Sequence, residues 1–127
     1  MLTGSCLCGG VAFRLVGDVG PVLACHCSMC AKTSGNYAAM AKSASADLQV
    51  TADATLRWYS SSPIVERGFC SRCGGNVFWK QKDSGDVYVT AGTVDKPTGL
   101  QVAEHIFVGS KADFYEISDG LPQKDEW

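Results

Sequence analysis

Seven cysteines, gathered into three tight local groups within 127 residues, constrain this chain more than any other feature. They fall as Cys6-Leu7-Cys8, Cys25-His26-Cys27-Ser28-Met29-Cys30 and Cys70-Ser71-Arg72-Cys73. An odd number leaves one thiol over in a disulfide framework, whereas short local spacings suit a metal held in a reducing compartment. The pattern points to metal ligation in a cytoplasmic protein.

Two of the groups supply matching halves of one closed site. In an extended segment Cys6 and Cys8 point to one side, because side chains alternate with period two. Cys70 and Cys73, followed by Gly74-Gly75, read as a zinc knuckle: two thiolates across a tight turn whose glycines let the backbone fold closely around the ion. Together Cys6, Cys8, Cys70 and Cys73 make a four-thiolate structural zinc. Such a site adds folding free energy and pins the amino-terminal strand to the middle of the chain. A redox pair at Cys70 and Cys73 is the alternative, and no βαβ pattern surrounds it.

The remaining trio, Cys25, Cys27 and Cys30, has no eighth cysteine to complete it. Cys25 and Cys27 share one face of an extended segment, and Cys30 returns on the first turn after it. Three ligands with a vacant fourth position is the arrangement of a catalytic zinc. Three thiolates against a divalent ion leave a net negative charge, which weakens the pull on a bound water and disfavours water activation. A soft centre of this kind accepts a fourth sulfur instead, holding a substrate thiol as its nucleophilic thiolate.

Other polar residues near these groups carry open alternatives. His26 alternates to the face opposite Cys25 and Cys27, which favours packing or hydrogen bonding over ligation. His105 is a fourth ligand, a general acid or base, or a satisfied strand histidine. Lys32 offsets the negative centre, holds a substrate carboxylate or is simply solvated, and Ser34 and Asn36 offer further polar contacts.

The rest of the sequence bounds the class. Hydrophobic residues make up 46% and charged residues 19%, which suits one folded domain spanning residues 1–127. Eleven basic against thirteen acidic residues, spread along the chain, provide no basic cluster for a phosphate backbone, so nucleic acid is not an expected partner. Arg14 is the first cation, and no apolar run approaches the roughly 20 residues of a membrane span, so a soluble, non-exported, cytoplasmic protein is expected.

Short β-branched and aromatic runs between turn signals predict strands over 11–16, 36–42, 48–51, 56–59, 64–69, 76–81 and 87–90, and hence a mainly β fold. One short helical segment is expected to begin near Ser28, with the serine hydroxyl as cap, and to end at Gly35. Residues 42–46 read as a small-residue loop, and 119–127 as a loose polar tail.

These motifs, in this order, resemble the glutathione-dependent formaldehyde-activating enzyme family from end to end. The likeness rests on Gly4-Ser5-Cys6-Leu7-Cys8-Gly9, on Cys25 to Lys32 with Gly35, on Arg67-Gly68-Phe69-Cys70-Ser71-Arg72-Cys73-Gly74, and on Gly92-Thr93-Val94-Asp95 followed by His105-Ile106. The resemblance implies a β-tent, a fold of folded antiparallel sheets shared with methionine sulfoxide reductase B-type domains and a Rab-binding zinc protein. It also implies two zincs per chain: a structural one on Cys6, Cys8, Cys70 and Cys73, and a second on Cys25, Cys27 and Cys30. The family's activity adds glutathione to formaldehyde and is classed as a carbon-sulfur lyase. By resemblance the glutathione sulfur takes the open zinc position and attacks the aldehyde, with His105 or water protonating the alkoxide. Two further readings stand beside it: a non-catalytic module of the same fold that binds zinc, thiols or a partner, and a reductase using a Cys27–Cys30 disulfide.

Overall fold

A computed structural model describes residues 1–127, and short strands carry most of the chain. Strands β1 (Leu2–Ser5), β2 (Ala12–Leu15) and β5 (Leu48–Ala52) form a small antiparallel sheet in the order β1-β2-β5. The larger sheet contains β3 (Val19–Cys25), β4 (Ala38–Ala44), β6 (Leu56–Ser60), β7 (Val65–Cys70), β8 (Asn76–Gln81), β9 (Asp86–Thr90) and β10 (Val102–Ile106). Its order is β10-β3-β4-β9-β8-β7-β6, antiparallel throughout except where β10 runs parallel to β3. The one helix, α1 (Ser28–Ser34), interrupts the β3–β4 connection. This is the mainly β architecture of two folded sheets that the sequence predicts, with its helix after the central cysteines. No helix is long and apolar enough to cross a membrane.

Period-two alternation gives the larger sheet two distinct faces. One cross-strand row runs Val22, Ala41, Val89, Phe78, Gly68 and Trp58. Its buried members pack against Phe13 and Leu15 of the small sheet, with Phe13 edge-on to Phe78 at a centroid distance of 5.4 Å. Fully burying each such valine or phenylalanine contributes about 1.5–3 kcal/mol, so the core lies between the sheets. Gly68 lets Trp58 reach across and stack on Phe78, because a Cβ there would lie 3.2 Å from the Trp58 ring. The neighbouring row, Lys42, Tyr88, Trp79 and Arg67, points to the opposite face, as does the pair Leu23 and Met40.

Several elements depart from the sequence expectations, each for a local reason. Strands β1, β3 and β10 were not among the predicted runs. In β3 the register shifts between Val19 and Val22, so the Gly20-Pro21 pair sits in a bulge where proline's missing N–H costs no ladder bond. Residues 42–44, expected in a loop, continue β4, and Lys42 pairs with Asp86 of the adjacent strand at 3.0 Å. Residues 119–127, expected to be loose, lie along the free edge of β10. There His105 N donates to Pro122 O, Lys124 N to His105 O and Phe107 N to Glu126 O, each at 2.9 Å. This segment covers an edge that would otherwise present unpaired amides.

Gly4 of β1 lies in close quarters between its cross-strand neighbour Phe13 and the segment after β9, where Asp95 N donates to Thr3 O at 2.8 Å. A Cβ on Gly4 would fall 2.4 Å from the Phe13 ring and 2.5 Å from the Thr93 carbonyl oxygen, and the carbonyl cannot swing aside as a side chain would. Gly4→Ala is therefore expected to destabilise the fold by about 1–3 kcal/mol through overpacking. Urea denaturation measures it, and an unchanged midpoint would show that this contact is looser than described.

Candidate metal centres and an apolar cleft

Each half of the first cysteine cluster is a glycine-closed turn. Gly9 and Gly74 adopt φ values of 79° and 77°, a region open to glycine, and their amides return to the carbonyls of Cys6 and Cys70. The proximity of Cys6 and Cys8 thus comes from a turn beyond β1 and not from the alternation of an extended strand. The four sulfurs of Cys6, Cys8, Cys70 and Cys73 lie within 4.8 Å of one another. Cys8 Sγ is 3.7 Å from Cys6 Sγ and 3.6 Å from Cys70 Sγ, close to the about 3.8 Å edge of a tetrahedron with zinc–sulfur bonds near 2.3 Å.

Backbone amides and one hydroxyl point at three of these sulfurs. Amides of Val11, Gly10 and Cys73 donate to the sulfurs of Cys6, Cys8 and Cys70 at 3.3, 3.4 and 3.4 Å. The Thr55 hydroxyl, 3.2 Å away, and the Cys73 amide hold the Cys70 thiol down to about 5. Amide donors stabilise a sulfur anion, so the donor set fits a thiophilic divalent ion such as zinc.

The central trio forms where β3 ends and α1 begins. Cys27 is extended (φ −62°, ψ 156°) and is itself the helix cap, its sulfur accepting from Cys30 N at 3.2 Å. Ser28, the cap expected from the sequence, is already the first helical residue. Gly35 ends the helix as expected, at φ 92°. The sulfurs of Cys25, Cys27 and Cys30 also lie within 4.8 Å of one another. Hydrogen bonds from Cys25 and then Cys30 lower the Cys27 thiol's pKa, while bonding to Cys27 and Cys30 and burial raise that of Cys25. Three converging sulfurs of this kind form a donor set that suits a soft cation.

Sequence reasoning gave no role to Arg67, which sits on β7 with 8% of its surface exposed. Its two terminal nitrogens lie 4.0 and 3.9 Å from Cys30 Sγ, and it also donates to Ser61 Oγ and Thr33 Oγ1. None of the ion pairs in the structure involves Arg67. A buried guanidinium needs a counter-charge, and the sulfur cluster is the anionic group it faces. The available signal was weak, because an arginine in a strand is ordinarily solvated.

The outer face of the larger sheet and the trio together enclose an apolar cleft of about 320 Å³. Leu23, Met40, Tyr88 and Trp79 line its sheet side, Cys25, Cys27 and Cys30 its floor, and Ile64, Met29 and Trp127 its rim. Arg67 is the one cationic residue in the lining.

His26 and His105 lie outside this lining. Both are buried and form a continuous chain: Tyr115 Oη to His26 Nδ1 at 2.9 Å, His26 Nε2 to His105 Nδ1 at 2.8 Å, and His105 Nε2 to Asp119 Oδ2 at 2.7 Å. The Asp119 carboxyl, held low by its hydrogen bond to His105, accepts from His105 Nε2, and the Nδ1 of that ring meets His26 Nε2. The Tyr115 hydroxyl completes the chain at His26 Nδ1. His105 is therefore a satisfied strand histidine, with no nitrogen free to close the trio. Lys32 and Ser34 are exposed on α1 and do not line the cleft, although Ser34 borders a small neighbouring crevice with Arg67 and Asn76.

A pair of folded β-sheets carrying one closed and one open cysteine cluster, the open one at the floor of a cleft, defines a class of small thiolate-site β proteins. Within that class, the chain belongs to the glutathione-dependent formaldehyde-activating enzyme family, whose pattern matches residues 1–110. It is 31% identical over 131 residues to a Halomonas elongata protein provisionally named a glutathione-dependent formaldehyde-activating enzyme, covering 92% of this chain and 81% of the relative. It is 22% identical over 117 residues to a Schizosaccharomyces pombe protein named an uncharacterised lyase, with coverage of 91% and 85%. A Rhodobacter sphaeroides crystal structure shares the fold with a TM-score of 0.61 at 19% identity, over 96% of this chain and 98% of its own.

The histidine chain gives a stability prediction. Tyr115→Phe leaves a buried His26 acceptor without its donor and is expected to cost about 1–3 kcal/mol. Burial first, and then His105, lower the pKa of His26, so it folds as the neutral form. Its contribution is complete above the unfolded value of about 6.5 and declines as pH falls below it, because the unfolded chain then binds the proton more readily. Denaturant titrations of wild type and Tyr115→Phe between pH 8 and 5 measure both effects.

Proposed function

We propose that this chain is a single-domain, cytoplasmic carbon-sulfur lyase that joins a thiol, glutathione in the first instance, to a small aldehyde such as formaldehyde. The observation that carries the proposal is the placement of three converging sulfurs and a buried, carboxylate-free Arg67 at the floor of one cleft. Family membership and the relatives' names support this chemistry. The cleft beside Cys30 favours an enzyme over a module that only binds metal or a partner.

In this reading the chain holds two zincs, one on Cys6, Cys8, Cys70 and Cys73 and one on Cys25, Cys27 and Cys30. Zinc at the second site would supply a soft Lewis-acidic centre with a position free for sulfur. Arg67 offsets the negative charge of the three thiolates, which lets the site accept another anionic sulfur. The apolar walls exclude water and so strengthen each electrostatic contact inside. As the sulfur adds to the carbonyl carbon, Arg67 opposes the charge that grows on oxygen. The thiol's proton leaves to solvent and one returns to that oxygen, so the step needs no oxidant or reductant. His105 is left out of this chemistry because both ring nitrogens are engaged.

Metal analysis and product formation test the proposal together. Two zincs per chain are expected, with the second removed by mild chelation and retained when glutathione is present. NMR should show S-hydroxymethylglutathione forming faster than without protein. Cys27→Ser is expected to abolish the acceleration, and Arg67→Met to lower kcat/KM at least tenfold. One tightly held zinc with no effect of thiol, or full activity in Cys27→Ser, overturns the proposal.

A further inference from the structure

We infer that the carbonyl substrate of this cleft is an aldehyde bearing an apolar side chain of about the size of a benzyl group, in preference to formaldehyde. The inference rests on the thiol-addition reading above, with glutathione as the thiol.

Volume is the first argument. A cleft of about 320 Å³ holds roughly ten waters at their share of liquid volume. Formaldehyde, with two heavy atoms, would displace about one or two of these and leave the rest against apolar walls. A larger hydrocarbon group releases that water, which is the favourable part of transfer from water to an apolar site.

The lining is the second argument. Trp79 and Tyr88 meet edge to face with centroids 5.3 Å apart, and Trp127 stacks on Trp79 at 6.1 Å, so the wall offers aromatic faces and edges suited to another ring. The rim is apolar too, since Ile64 and Met29 remain 60% and 45% exposed. A hydrophobic rim around a hydrophobic pocket marks a binding surface for an apolar group.

Charge is the third argument, and it assigns the apolar group to the aldehyde and not to the thiol. Glutathione carries two carboxylates and an ammonium at neutral pH. Arg67, the one cationic lining residue, is already engaged by Cys30, Ser61 and Thr33, and no aspartate or glutamate lines the cleft. Burying those unpaired charges would be costly, so glutathione sends in its sulfur and keeps its charged ends in solvent. The space left beside the trio belongs to the substituent on the carbonyl carbon. The step itself is unchanged: a carbon–sulfur bond forms, the carbonyl π pair moves to oxygen, and oxygen takes a proton.

Zinc-loaded protein with glutathione is assayed by NMR against formaldehyde, hexanal and phenylacetaldehyde, and binding of each aldehyde is followed in parallel by tryptophan fluorescence. Phenylacetaldehyde is expected to show a kcat/KM at least tenfold above formaldehyde and to quench fluorescence saturably. Ile64→Glu, at the exposed rim, is expected to raise its KM at least tenfold with an unchanged circular dichroism spectrum. Met29→Lys serves the same purpose should Ile64→Glu fail to fold. Saturable binding of phenylacetaldehyde without adduct formation supports the assigned ligand class and overturns the lyase reading. Formaldehyde turnover equal to or above that of phenylacetaldehyde overturns the inference and leaves the lyase reading standing. A preference for benzyl mercaptan over glutathione, with no preference among aldehydes, places the apolar group on the thiol and also overturns the inference.

Discussion

The convergence of four sulfurs from the amino-terminal segment and the middle of the chain is the constraint on which the rest of the structure depends. Cys6 and Cys8 follow β1, and Cys70 and Cys73 follow the body of β7, so their meeting ties the small sheet to the large one. Amide and hydroxyl donors around these sulfurs favour anions. Four thiolates less than 5 Å apart would repel one another, and a divalent cation is the simplest way to reverse that sign. The aromatic pair Phe13 and Phe78 and the close approach at Gly4 then fill the space that this tether encloses.

Strand β7 links the two clusters, because it brings Arg67 to the trio and ends at Cys70 of the closed site. The strand is tethered at Cys70, three residues beyond Arg67, which limits where the guanidinium can lie. A rigid, buried cation of this kind is preorganised, so little reorganisation is needed when negative charge gathers beside it. The closed site therefore supports the open one through the backbone as well as by stabilising the fold.

The sequence made most of this legible where the signal was local. The alternation of β2 and of β4 to β9, the helix after Cys27 and the three cysteine groups could all be read from neighbouring residues. Strand β3 was missed because Pro21 disguises a bulged strand, and β10 because its single parallel partner lies far away in sequence. The tail was misjudged because its polar residues act through backbone groups, which composition does not reveal. Cys6 and Cys8 were rightly grouped, but through a glycine turn that spacing alone does not distinguish from a strand. Arg67 and the roles of His26 and His105 are not legible locally, because each depends in part on a partner 34 to 89 residues away.

Those two histidines are also held away from the open site. Within Cys25-His26-Cys27 the two cysteines face the cleft, while His26 turns to the opposite side and joins Tyr115, His105 and Asp119. That chain engages both nitrogens of each ring, so it anchors the backbone of the trio from the side away from the cleft. Of the groups that line the cleft, Arg67 alone then sets the charge against the sulfurs. Had His26 pointed the other way, a titrating imidazole would have competed with Arg67 for the same anions and made the site's charge vary near neutral pH. Three residues of extended backbone thus separate a soft, reactive face from a hydrogen-bonded supporting one.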